Sequence, residues 1–190
     1  GASYFSGGGM TIGGAALTGV AADADNTAFE GAFFYKVSPA TGVQTLAWDW
    51  AGLDVTTVGD NETLLCYAFY KGIDTADPTR DTFGGQQATS PHATDTMTAV
   101  SGDWVIAWAF QFTAIGTEFA WTNATEVLEV HHSASQSHGA LAEGTPAGDV
   151  VVTATVTGSA DGGIAAVVFK ASGAAATAWG PLLSQRNNRL

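Results

Sequence analysis

The sequence predicts an all-β protein: a two-sheet antiparallel β-sandwich, jelly-roll-like or immunoglobulin-like, with a C-terminal extended arm. Three observations predict it. Nearly every apolar segment repeats with period two, and helical spacing is scarce. Clusters of Gly, Pro, Asn, Asp and Ser separate these segments, as tight turns between strands require. Apolar residues make up 46% of the chain and charged residues 13%, a balance that builds a core and does not leave a disordered chain. A chain of 190 residues suits one domain. At this size folding buries roughly 70% of the surface the unfolded chain exposes. The sandwich is expected over residues 1–172 and the arm over 173–190.

The elements follow in chain order. "MTIGG" and "AALTGV" are short candidates on either side of Gly13 and Gly14. "GAFFYKV" sets Phe33, Tyr35 and Val37 opposite Phe34 and Lys36, because strand side chains alternate. A turn at "SPATG" leads into "VQTLAWDW", with Leu46, Trp48 and Trp50 on one face. "LLCYAFYKG" is an apolar run holding Cys66, the only cysteine; an intrachain disulfide is thereby excluded, and a small buried side chain is expected. Lys71 to Asp95 is long, polar and rich in Asp, Thr and Gly, and reads as a loop. "DTMTAV", "TEFAWT" and "TEVLEVHH" are weaker strands.

"SGDWVIAWAFQFT" is the most informative stretch. Trp104, Ile106, Trp108, Phe110 and Phe112 share one face, and Val105, Ala107, Ala109, Gln111 and Thr113 the other. The bulky face is expected to be core, since each aromatic buries ~150–250 Å². The smooth face is expected either to meet another subunit or to lie under a covering loop. "DVVVTATVTG" sets Val150, Val152, Ala154 and Val156 against a threonine-rich row. "GGIAAVVFKAS" is apolar on both faces and suits a central strand. In the tail, Trp179, Leu182 and Leu183 fall outside any strand pattern, and Arg186 and Arg189 add positive charge.

Charge narrows the partners. The net charge is −12 with six basic residues, which argues against phosphate-mediated nucleic-acid binding and against docking on an anionic membrane. No nucleic acid and no membrane are expected as partners.

Candidate chemistry is sparse. His131 and His132 lie on opposite faces of one strand, so both cannot ligate one metal while the strand stays regular. His132 with His138, helped by Glu126 or Glu129, makes at most half of a metal site. No His-Glu-x-x-His, G-x-S-x-G or phosphate-loop pattern occurs, and no enzyme activity or resident cofactor is expected. Asp74, Asp77 and Asp81 are candidate calcium ligands, with Asp23, Asp25 and Asn26 a second set; the plainer reading is solvated acidic loops. Phe83, Gln86, Gln87 and His92 are candidate glycan contacts, as are Trp121 and Asn123. Asn61 and Asn123 fit the glycosylation sequon, a pattern frequent by chance.

The order "GGAALT", "AFFYKVSPATGVQTLAWDW", "LLCYAFYKGIDTADPTRD", "SGDWVIAWAF", "DGGIAAVVFK" resembles β-sandwich modules of structural and tail proteins in tailed bacteriophages and prophages, also seen in some secreted bacterial proteins. The resemblance runs from about Gly13 to Lys170, and it rests on segment order and turn residues. It implies a sandwich serving in assembly or surface attachment, with no catalytic residue to carry over. The expected function is a virion structural protein: a capsid decoration, head-fibre or tail subunit, partnered by other subunits of its assembly as a homo-oligomer. Trp179, Leu182, Leu183, Arg186 and Arg189 are its expected assembly residues. The alternative is a secreted, extracellular carbohydrate-binding or adhesive module.

Overall fold

The computed structural model describes residues 10–22, 32–48, 64–112, 118–132, 137–157, 162–173 and 177–186. The described residues form strands joined by turns, and no helix occurs among them. In chain order the strands are β1 (Met10–Ile12), β2 (Ala15–Ala16), β3 (Thr18–Ala22), β4 (Ala32–Tyr35), β5 (Leu46–Trp48), β6 (Leu64–Lys71), β7 (Thr79–Gln87) and β8 (His92–Ala93). They continue with β9 (Trp104–Phe112), β10 (Ala120–Thr122), β11 (Thr125–His132), β12 (Ser137–Gly144), β13 (Thr153–Thr155), β14 (Gly162–Phe169) and β15 (Thr177–Arg186).

Turn chemistry explains the short elements. Gly13 and Gly14 connect β1 to β2 with φ of 57° and 77°, and Ile12 pairs with Ala15. Positive φ at both central residues is what a two-residue hairpin turn matching strand twist demands.

The body is a β-sandwich. A five-stranded antiparallel sheet in the order β11-β12-β9-β14-β7 faces a three-stranded sheet in the order β10-β13-β8. Between them lie Val105, Ala107 and Ala109 of β9, Ile164, Ala166 and Val168 of β14, and Val152, Ala154 and Val156 from the opposite layer, all buried. β14 is buried along its whole length between β9 and β7, as its two-sided apolar run requires.

The smooth face of β9 is therefore interior. Ala107 and Ala109 have no exposure, so this face is not an assembly surface. Small side chains let the two sheets approach closely while interior density is kept. The bulky face is covered from the other side. Ile106, Leu141, Val167 and Phe169 pack there with Tyr35, Tyr70, Trp104 and Trp108. Tyr35 meets Phe169 edge-on at 5.9 Å, and Tyr70 meets Trp104 at 5.5 Å. The bulky face is core as expected, but so is its opposite.

Four strands differ from the sequence reading. Lys71–Asp95 is not one loop, since it contains β7 and β8. β12 lies between β11 and β9, with Gly139 beneath the Trp108 ring; a Cβ there would come within 2.7 Å of Trp108 Cη2. Aromatic cover of a strand glycine is a device that holds register. The tail is not free: Thr177–Arg186 pairs antiparallel with β6 of the same chain. Leu46–Trp48 joins β1 and β2 in a separate small sheet, and Trp50 lies outside the described residues.

Candidate functional site

Among the described residues, Asp103 is a heavily engaged polar group. It follows Gly102, whose φ of 98° turns the chain into β9, and its side chain is buried. Arg80 Nε donates to Oδ2 at 2.5 Å and Arg80 Nη2 to Oδ1 at 3.3 Å. The backbone amides of Val100 and Ala171 donate to the same carboxylate at 2.9 and 3.1 Å. Burial alone would push the Asp103 pKa up, but the guanidinium and the two amides outweigh it and hold the carboxyl below its usual range. The same contact raises Arg80. This cluster ties β7, the turn before β9 and the end of β14 together.

Tyr70 donates to Glu143, linking β6 to β12 over the bulky face. Burial first, and then the carboxylate, push its phenol well above the usual value. This is a neutral anchor, not a poised base.

The acids proposed for calcium are committed elsewhere. Asp74 Oδ1 accepts the amides of Ala76 at 2.9 Å and Asp77 at 3.3 Å, and these bonds hold its pKa down. Asp77 pairs with Lys170. Asp81 accepts Thr82 N at 2.8 Å and Thr98 N at 2.7 Å. The three do not converge, and no group of three His, Cys, Asp or Glu side chains suited to a metal occurs among the described residues. Asp23, Asp25 and Asn26 lie outside those residues.

The histidine expectation changes in register. β11 and β12 place His131 opposite His138, and His132 opposite Ser137, so the cross-strand pair is not His132 with His138. Glu126 accepts Trp121 Nε1 at 3.1 Å, and Glu129 accepts Phe119 N at 3.3 Å.

The glycan candidates do not share a surface. Phe83 packs against the interlayer core, and His92 has no exposure. Gln87 clasps the backbone of Ala93 from both ends, with Nε2 donating at 2.6 Å and Oε1 accepting at 2.7 Å. Gln86 is the exposed member of that set. Trp121 contacts Phe119 and the core. Asn123 holds a turn with φ of 63° and donates to Val151 O at 2.8 Å, which accounts for an Asn at that position. Asn61 lies outside the described residues.

The expected assembly residues fall on β15. Trp179 stands opposite Phe69, Leu183 opposite Tyr67 and Arg186 opposite Leu64, while Leu182 lies in the register break between Trp179 and Leu183. Arg189 lies outside the described residues. β6 and β15 form a two-stranded sheet of their own, apart from the sandwich ladders. The sequence missed this pairing because Gly180 and Pro181 interrupt the alternation; the register break spans them.

Comparison of the chain with known protein families, curated proteins and solved structures finds no match.

Proposed function

We propose that this chain is a non-enzymatic structural subunit of a virion, a capsid decoration, head-fibre or tail protein that works by assembling with copies of itself. One observation carries the reading: the last described strand of the chain forms a ladder only with β6, in a sheet separate from the sandwich. A two-stranded ribbon is marginal by itself, and here β6 is anchored on the sandwich through Tyr70. Its backbone bonds are satisfied equally well when β15 comes from a neighbouring copy, so exchange links subunits without a new interface having to be built. The order of the chain's segments, with its likeness to phage structural modules, supplies the virion setting. The extensive use of polar side chains for internal tethering suits a scaffold. A secreted glycan-binding module is less well supported, because Phe83 and Trp121 are engaged with the core.

The test is the solution mass of the full chain and of a chain ending at Gly173, by light scattering over a range of concentrations. The reading expects a discrete oligomer that becomes a folded monomer on truncation. A full chain that is monomeric throughout, or a truncated chain that still assembles, contradicts it.

A further inference from the structure

His92 has no part in the tethers described above. β8 places it between the two sheets of the sandwich, with no exposure to solvent. Neither ring nitrogen has a hydrogen-bond partner among the described residues. The ring lies against the backbone of β14 at Gly162. A Cβ at that position would sit 2.6 Å from Nε2 and 2.7 Å from Cε1, so only glycine leaves room for the imidazole. Gly162 is flanked in the sheet by Gln111 of β9 and Gln87 of β7, and β8 is paired through His92 to Ala154 of β13.

Among the described residues the surroundings offer no countercharge. β9, β10, β13 and β14 contain no Asp, Glu, Lys or Arg. On β7, Arg80 and Asp81 stand near the opposite end of the strand and are engaged with Asp103 and with the amides of Thr82 and Thr98. On β12, Glu143 is bound to Tyr70, and His138 stands opposite Gln111 in the ladder. Asp95, three residues beyond His92, is exposed. Asp161, which precedes Gly162, lies outside the described residues.

A neutral imidazole fits such a space. An imidazolium carries two N–H donors and a charge, and a buried charge with no countercharge is strongly disfavoured. We propose that His92 is an acid-sensitive latch: neutral, it closes the Gly162 end of the sandwich, and on protonation it leaves the interlayer space and frees β8 from the five-stranded sheet. This stands independently of how the subunit assembles.

The sign follows from linkage. Burial lowers the His92 pKa in the closed state, whereas an exposed imidazole titrates near ~6.5. The latch is therefore fully closed well above ~6.5, and well below it the open state binds up to one more proton than the closed state. The closed-to-open ratio falls about tenfold per pH unit down to the closed-state pKa, where it levels off.

The experiment is denaturant unfolding of the full chain between pH 7.5 and pH 5, for the native sequence and for His92→Gln, with imidazole NMR of the native protein alongside. The other three histidines are assigned by single substitution. The latch predicts that the native folding equilibrium falls by up to about fivefold from pH 6.5 to 5.5 relative to His92→Gln, half of an exposed imidazole already being protonated at ~6.5. It also predicts that the His92 ring in the folded protein titrates below an exposed imidazole. A His92 resonance titrating near 6.5 in the folded state overturns the proposal, as does the same pH slope in both proteins. If His92→Gln does not fold, the NMR titration decides alone.

Discussion

Asp103 shows how the role of a single acidic residue is set by its neighbours and not by its type. Its carboxylate is buried and takes a guanidinium and two backbone amides. Removing the carboxylate leaves two backbone amides and a part-exposed guanidinium without their acceptor, so Asp103→Ala is expected to cost about 1–3 kcal/mol, measured by denaturant unfolding at pH 7. Because the folded pKa is depressed, the stabilisation is present above the unfolded value near ~3.9 and is lost as pH falls through the folded value. That window lies well below the one set by His92, so the two acid effects separate on one pH axis. Asp74, Asp77 and Asp81 belong to the same lesson. Each is bonded to a nearby amide or lysine, and the melting temperature is expected to be unchanged by a divalent-cation chelator. A fall of several degrees on chelation would contradict that assignment. The candidate site was thus poorly legible in the sequence: residue type names a possible ligand, but the backbone amides that claim it come from the fold.

Among the strands, legibility followed side-chain pattern. β14 could be recognised by its unbroken apolar run, and the row from Val150 to Val156 by its alternation, because burial on two faces or on one leaves those marks. β7 and β12 left none. β7 is a sheet edge with a half-exposed polar face, and β12 is built from Gly and Ala because the Trp108 ring fills the space above Gly139. The smooth face of β9, expected to meet another subunit or to lie under a loop, is instead covered by a second sheet, since size does not decide burial when two sheets close on each other. The correction is testable. Ala107→Leu is expected to destabilise the fold by about 1–3 kcal/mol through overpacking, with no selective effect on assembly. A stable variant with altered oligomeric state would return that face to the surface. Gly163→Ala is expected to cost a similar amount, about 1–3 kcal/mol, since its Cβ would meet the Gly85 carbonyl oxygen at 2.8 Å.

For the whole molecule, the all-β sandwich was legible from period and punctuation, whereas the fate of the tail was not. The pairing of β15 with β6 depends on residues more than one hundred positions apart, and no local pattern reports such a contact. That ladder also supplies the most direct test of assembly by strand exchange. Ser184 stands opposite Cys66, the sole cysteine. Opposed residues of an antiparallel pair have Cα atoms about 4.5–5.5 Å apart, within the reach of a disulfide. The measurement is oxidation of the Ser184→Cys full chain at assembling concentration, read on a denaturing, non-reducing gel. The account predicts covalent dimers and higher species that a reductant returns to monomer, because β15 of one copy lies on β6 of another. A disulfide found only within single chains would contradict it, placing the strand permanently on its own subunit.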